Sequence, residues 1–206
     1  MRCAFFDFDG TLVNSQGRLY RLFRELCPEC RMSYDEYWAV KRGRISQSAM
    51  LKRFFGYDDD RARKFHEAWL RHVEDEDAVE TDFPVAGISE RLERLAHTRE
   101  LYLLTSRQRP ELVVRQIEKF GWSGLFRRLI VTRQVCDKCQ AVKGARLPVD
   151  GSILIGDTGE DVLAARQLGV KSVAAGWGIL SPNVLREYNP DYLAERIEEL
   201  DNCPFI

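Results

Sequence analysis

Asp7 and Asp9 stand one residue apart in the stretch Phe5-Phe6-Asp7-Phe8-Asp9-Gly10-Thr11-Leu12-Val13. Residues i and i+2 of a strand project from the same face. A strand over residues 3–8 therefore carries Asp7 to the carboxyl edge of a sheet, where open α/β sheets place their ligands. Gly10 allows a sharp turn there, and the Thr11 hydroxyl is suited to hydrogen-bond back into it. Such a pair offers one carboxylate as nucleophile or metal ligand and a second as acid or base. An Asp-Gly turn after a buried strand is also common, so the chemistry depends on partners elsewhere.

Two further strand ends supply them. The apolar run 101–104 ends in Thr105-Ser106, and the run 152–155 ends in Gly156-Asp157, with Asp161 four residues on. Helix capping alone would account for acids at 157 and 161, but not for their recurrence opposite Asp7 and Asp9. Carboxylates from separate strand ends, with backbone carbonyls and water, suit a hard Mg²⁺ ion.

The elements that must position these residues follow from periodicity. Buried strands are expected at 3–8, 101–104, 129–131, 152–155 and 171–175, with a short one at 192–194. Helices are expected at 88–96, 110–120, 138–146 and 160–168, and a terminal helix after 194. Strands alternating with helices predict an α/β fold, a doubly wound parallel sheet. Residues 14–82 differ. They lack a β-run and show helical spacing in Leu19, Leu22, Phe23 and Leu26, in Tyr34, Tyr37 and Trp38, in Met50, Leu51, Phe54 and Phe55, and in Phe65 and Trp69. An all-helical insertion of about four helices is expected there, leaving residues 1–13 and 83–206 to form the sheet-bearing domain.

The whole-chain properties exclude several classes. A formal net charge of -1 provides no field for nucleic acid or a membrane surface. No apolar run approaches a membrane span, and Asp7 comes too early for a cleaved leader. A cytoplasmic protein, monomeric or weakly dimeric, is expected. Four of the six cysteines form the pairs Cys27/Cys30 and Cys136/Cys139. About a hundred residues separate them, so free thiols are expected rather than a shared zinc site or a redox disulfide. His66, His72 and His97 lack ligand spacing, and the run Glu74-Asp75-Glu76-Asp77 reads as a solvated face.

Asp7-Phe-Asp9-Gly-Thr11, then Leu-Leu-Thr105-Ser106, then Gly156-Asp157-Thr-Gly-Glu-Asp161, taken in order on strand ends, resemble the haloacid dehalogenase-like hydrolase superfamily. The insertion after the first strand resembles the cap of the subgroup that includes phosphoglycolate phosphatases and β-phosphoglucomutases. The resemblance implies that Asp7 attacks phosphorus, that Asp9 is the acid and then the base, and that Thr105 and the Ser106 N–H bind phosphate oxygens. It implies Mg²⁺ on the Asp7 carboxylate, the Asp9 backbone carbonyl and Asp157, with Asp161 orienting a lysine or a metal-bound water. Glu160 is either an outer support for the metal or plain helix charge. The family's phosphate lysine falls on Lys138 or Lys143; Lys138 opens its helix and is preferred, although no proline follows it and cysteines flank it.

The resemblance also assigns substrate choice to the cap. Its stretch Val40-Lys41-Arg42-Gly43-Arg44-Ile45-Ser46-Gln47-Ser48 resembles the subgroup's substrate loop, with Lys41 and Arg44 as candidate contacts. Residues 16–53 carry nine Lys/Arg against four acids, which suits a substrate with a second anionic group or a polar sugar. The implied function is Mg²⁺-dependent hydrolysis of a small-molecule phosphate monoester through an aspartyl-phosphate. The alternatives are a phosphomutase of the β-phosphoglucomutase type, opposed by Thr11, and a non-catalytic binding or regulatory member, opposed by the intact aspartates. A dehalogenase is disfavoured by Asp9.

Overall fold

The computed structural model describes residues 2–133 and 135–206. The chain divides into two compact units, one formed by the residues up to Asn14 together with Phe83–Ile206, the other by Ser15–Asp82.

The first unit holds β1 (Cys3–Phe6), β2 (Val13–Asn14), β3 (Phe83–Pro84), β4 (Glu100–Thr105), β5 (Phe126–Val131), β6 (Ile153–Gly156), β7 (Lys171–Ala175) and β8 (Tyr192–Ala194). Six of these form one sheet in the order β5-β4-β1-β6-β7-β8, and every pairing in it is parallel. Strand pleating divides the core. Ala4 and Phe6 face a layer with Ile88, Leu92 and Leu95 of α6 (Ile88–Ala96), Val113 of α7 (Pro110–Lys119), and Ile197 and Leu200 of a closing 3₁₀ turn (Ile197–Asn202). Cys3 and Phe5 face the opposite layer, with Val142 of α8 (Lys138–Gly144) and Ala164, Ala165 and Leu168 of α9 (Gly159–Leu168). Each fully buried Phe is worth on the order of 2–3 kcal/mol of apolar transfer. This is the expected doubly wound sheet, with the strand ends of β1, β4 and β6 side by side.

Several boundaries differ from the sequence expectation. β1 ends at Phe6 because the Phe8 carbonyl accepts the amides of Thr11, Leu12 and Val13, which draws the chain into a turn. β5 begins at Phe126, three residues earlier than expected. The terminal element is a 3₁₀ turn, and α10 (Pro182–Glu187), capped by the Ser181 hydroxyl, precedes β8. β2 and β3 pair antiparallel, Val13 with Pro84 and Asn14 with Phe83.

The second unit contains α1 (Gln16–Leu26), α2 (Tyr34–Lys41), α3 (Gln47–Phe55), α4 (Asp59–His72) and α5 (Glu76–Val79). Phe23 is its packing centre, with ring centroids 4.9 Å from Tyr37, 5.8 Å from Phe55 and 5.3 Å from Phe65. The ends of the unit are tied together by Arg18, whose Nε donates to both Asp82 oxygens at 3.0 Å and whose Nη1 donates to the Val73 carbonyl. Both side chains are almost fully buried. Among the described residues no helix is long and apolar enough to cross a membrane.

Candidate active site at the carboxyl edge of the sheet

Asp7 follows β1 directly, and its amide still donates to the Ile155 carbonyl of β6 at 2.9 Å. That bond fixes the Asp7 side chain at the sheet's edge. Gly10 takes a φ of +84°, in the left-handed region open to glycine, and closes the turn by donating to the Val13 carbonyl. Asp157 follows β6 in the same way. Its Oδ2 accepts the Ile179 amide at 2.7 Å and its Oδ1 accepts the Thr11 hydroxyl at 3.3 Å.

Backbone from two sides presses on Asp157. A Cβ on Gly10 would lie 2.1 Å from its Oδ2, and a Cβ on Gly178 would lie 2.2 Å from its Cβ. These two glycines form a cradle that holds one carboxylate in place. Gly178 and Ile179, in the loop after β7, were not anticipated from the sequence; a lone glycine in a loop gives no warning that a carboxylate rests on it.

Lys138 opens α8 and is buried. Asp137 caps the helix by accepting the Gln140 amide. The Lys138 ammonium donates to Asp7 Oδ1 at 2.6 Å and also to Asp161 Oδ1. Asp161, in the first turn of α9, accepts the Thr158 hydroxyl at 2.7 Å and the Thr158 amide at 3.1 Å through its other oxygen. Asp161 therefore positions the lysine. Lys143 is exposed, one to two turns along the same helix, and so is Glu160.

Oxygens of Asp7, Asp157 and Asp161 all lie within 4.8 Å of one another. Three buried carboxylates thus face one ammonium. Burial, and then the Asp161 and Asp9 charges, push Asp7 up to about 6 against the pull of Lys138. Burial, then Asp7 and Asp161, raise Asp157 as well. Burial alone would lower the Lys138 amine, but the two aspartates outweigh it and hold it above its ordinary value. The surplus negative charge and all-oxygen donor set are what a hard divalent cation requires. The residues present fit Mg²⁺, with Asp7 and Asp157 able to face the ion while Asp161 is committed to Lys138.

Thr105 ends β4 fully buried, and its Oγ1 accepts the Arg107 amide at 3.2 Å. Ser106 is half-buried beside it. A cavity of about 850 Å³ opens beside Lys138, lined by Ser106, Thr132, Cys136, Glu160 and Gln167 among others; Asp7, Asp9, Thr105 and Asp157 are not among its walls.

Arg107 was not anticipated from the sequence. Its Nε donates to Asp9 Oδ2 at 2.6 Å and its Nη2 to Asp9 Oδ1 at 2.8 Å. The carboxylate expected to act as acid and base is thus held bidentately by a guanidinium. An arginine after a strand-end Thr-Ser reads as ordinary loop charge, and only the fold brings it to position 9.

The site therefore gathers Asp7, Asp9, Gly10, Thr11, Thr105, Ser106, Lys138, Asp157 and Asp161 within the sheet-bearing unit. Lys41 and Arg44 belong to the helical unit. Lys41 is half-buried and donates to the Ile45 carbonyl at 3.3 Å, with its amine lowered by burial; Arg44 is exposed, at a φ of +68°. All six cysteines are thiols. Cys27 and Cys30 lie in the helical unit, and Cys136 and Cys139 flank Lys138. Among the described residues the aspartate triad is the one His/Cys/Asp/Glu group close enough to hold a metal.

Comparison with known proteins places this arrangement. Residues 4–175 match the family model described as haloacid dehalogenase-like hydrolase. The pyrophosphatase PpaX of Oceanobacillus iheyensis is 20% identical over 208 residues, covering 97% of this chain and 95% of its own. The PpaX of Halalkalibacterium halodurans is 23% identical, with coverages of 95% and 93%. The solved structure of a haloacid dehalogenase-like family hydrolase from Streptococcus pneumoniae superposes with a TM-score of 0.80 at 21% identity, covering 98% of this chain and 97% of that one. The chain belongs to the haloacid dehalogenase-like hydrolases.

Proposed function

We propose that the protein is a Mg²⁺-dependent phosphatase that hydrolyses a small phosphorylated compound through an aspartyl-phosphate. The observation that carries this reading is the single buried ammonium of Lys138 among the carboxylates of Asp7, Asp157 and Asp161. A site charged in this way relieves its surplus by taking up a proton or a cation, and the cation-neutralised site then accepts an anionic phosphoryl group. The PpaX relatives are named as pyrophosphatases, which puts inorganic diphosphate beside phosphate monoesters as a compound to test.

In the first half-reaction an Asp7 oxygen bonds to phosphorus while the bond from phosphorus to the leaving oxygen breaks, and Asp9 gives that oxygen its proton. In the second, Asp9 takes a proton from water as the water oxygen bonds to phosphorus. The Asp7–phosphorus bond breaks, releasing inorganic phosphate and restoring both aspartates. Lys138, Thr105 and the Ser106 amide hold the transferring oxygens, and positioning with charge neutralisation supplies most of the rate. Asp7, Asp157 and the Asp9 carbonyl would hold Mg²⁺, which offsets repulsion between the nucleophile and the phosphate. Asp161 aims Lys138. The helical unit serves as a cap that selects substrates, with Lys41 and Arg44 as contacts for their polar ends.

The test is phosphate release from inorganic diphosphate and a panel of small phosphate esters, with Mg²⁺ or chelator, for wild type and Asp7→Asn. Metal-dependent release that disappears in the variant supports the reading. Equal release by both proteins, or none by wild type from any compound, rejects it.

A further inference from the structure

The amino edge of the sheet, opposite the catalytic one, holds a second unbalanced charge. Arg99 leads into β4 and is 9% exposed. Its Nη1 donates to the Gly151 carbonyl at 3.0 Å and to the Cys3 carbonyl at 3.4 Å, and its Nη2 donates to the Phe205 carbonyl. A guanidinium carries five N–H donors, so three are met, and each by a neutral oxygen. Among the described residues no carboxylate pairs with Arg99.

Arg2 brings a second guanidinium to the same place. It directly precedes β1, is exposed, and among the described residues its side chain makes no hydrogen bond or ion pair. It lies across Gly151, where a Cβ would come within 3.1 Å of its Nε. The two arginines thus meet at one residue. Burial, and then the Arg2 charge, hold the Arg99 guanidinium below its ordinary value. Both line a cavity of about 390 Å³ whose walls include Thr98, Lys171 and Phe205 and, among the described residues, no acidic side chain. The Ile206 carboxylate at its rim forms no ion pair with either arginine. Lys171 is matched by Asp191 at 2.5 Å, so the surplus belongs to the two guanidiniums.

We propose that this cavity binds a tetrahedral oxyanion of the phosphate class, free or carried on a small molecule, between Arg99 and Arg2. A buried charge without a counter-ion is strongly unfavourable, and a like charge beside it adds to the strain. Carbonyl dipoles occupy donors but leave the net charge in place. A phosphate group carries close to two negative charges near neutral pH and several acceptor oxygens. It therefore balances both arginines and takes the donors left over. A planar carboxylate, with one charge, balances half. The site is separate from the catalytic one, because β1 sets Arg2 and Asp7 apart by roughly 16 Å of strand. Through Arg99 the anion would also tie together the starts of β1 and β6 and the segment at Phe205.

Calorimetric titration with inorganic phosphate tests this, in chelator and against potassium chloride of equal ionic strength. Phosphate should bind wild type and raise its melting temperature with the logarithm of phosphate concentration. Arg2→Gln should weaken binding about 10-fold and Arg99→Gln about 30-fold, with Arg99→Lys between wild type and Arg99→Gln. Lys143→Ala, which removes an exposed charge elsewhere, should leave binding unchanged. Acetate should bind at least about 10-fold more weakly than phosphate. Methyl phosphate separates the two sources: an affinity equal to that of phosphate assigns a phosphoryl group on a small molecule, and one about 10-fold weaker assigns the free ion. No binding by wild type, equal weakening by Lys143→Ala, or unchanged binding in Arg2→Gln would overturn the proposal and leave Arg99 as a clamp on three carbonyls. The Arg2 side chain holds nothing in the fold, so its variant remains decisive if replacement of Arg99 unfolds the protein.

Discussion

The two units each bury an ion pair, and the pairs are of opposite kinds. In the helical unit the Arg18 guanidinium meets the Asp82 carboxylate through Nε and the Val73 carbonyl through Nη1. In the sheet-bearing unit Lys138 meets Asp7 and Asp161 with Asp157 close by, one charge against three. The first pair joins the two ends of the helical unit and closes a fold. The second carries surplus negative charge, which a bound proton or a cation relieves. Burial of charge does not by itself mark a site; imbalance of buried charge does.

This contrast makes predictions of graded size. The largest concerns the nucleophile. Asp7→Asn should cut phosphate release by about 10⁴-fold or more while circular dichroism stays unchanged, since shape is conserved and only the nucleophile is lost. Next, Lys138→Ala should cost about 10³-fold in kcat/KM, whereas the exposed Lys143→Ala should stay within about twofold; the opposite ranking would move the phosphate lysine one turn along α8. At the Arg18–Asp82 pair, Arg18→Ala should destabilise the protein by about 3–5 kcal/mol in denaturant melts. Replacing both partners, Arg18→Met with Asp82→Leu, should recover most of that. No such recovery is expected from paired apolar replacements at Lys138 and Asp161, which should abolish turnover.

The smallest effect tests the imbalance itself. Asp7 is pushed up to about 6 from an ordinary 3.8, so the native state retains a proton that the unfolded chain has lost. Stability must therefore fall as pH rises from about 4 to 6 in chelator, by at most about 3 kcal/mol from this group. Asp7→Asn lacks the term, so its melting temperature should overtake that of wild type across this window. Added Mg²⁺ should raise wild type more than the variant, in proportion to the logarithm of its concentration. A constant gap between the two proteins from pH 4 to 7 would mean that the cluster is not strained without its ion.

What the sequence made legible follows the same division. The sheet and its three chemical strand ends were readable because buried parallel strands are continuous apolar runs, and Asp7, Thr105 and Asp157 each end one. Lys138 was distinguishable from Lys143 by its place at a helix start. Arg107 was not readable, because its role depends on the crossing from β4 back to the turn after β1, 98 residues away in the chain. Gly178 and Ile179 were hidden for a similar reason, since their backbone serves a carboxylate of another strand. α10 carries a signature in Ser181-Pro182, a cap followed by proline at the first helical position, but at six residues it is too short to show a helical period. β2 and β3, at two residues each, are too short to leave any period.

That last pair has a topological meaning. Asn14 faces Phe83 across an antiparallel rung, so β2 and β3 form a hairpin whose connecting turn is the entire segment Ser15–Asp82. Closing so long a loop instead of a four-residue turn costs only about 2.5 kcal/mol of chain entropy. The Arg18–Asp82 bond, at the two ends of that segment, meets this cost from inside the insertion. To the sheet, the helical unit is a single turn. Its length and contents are thus open to exchange for another module without renegotiating strand order, register or the placement of Asp7.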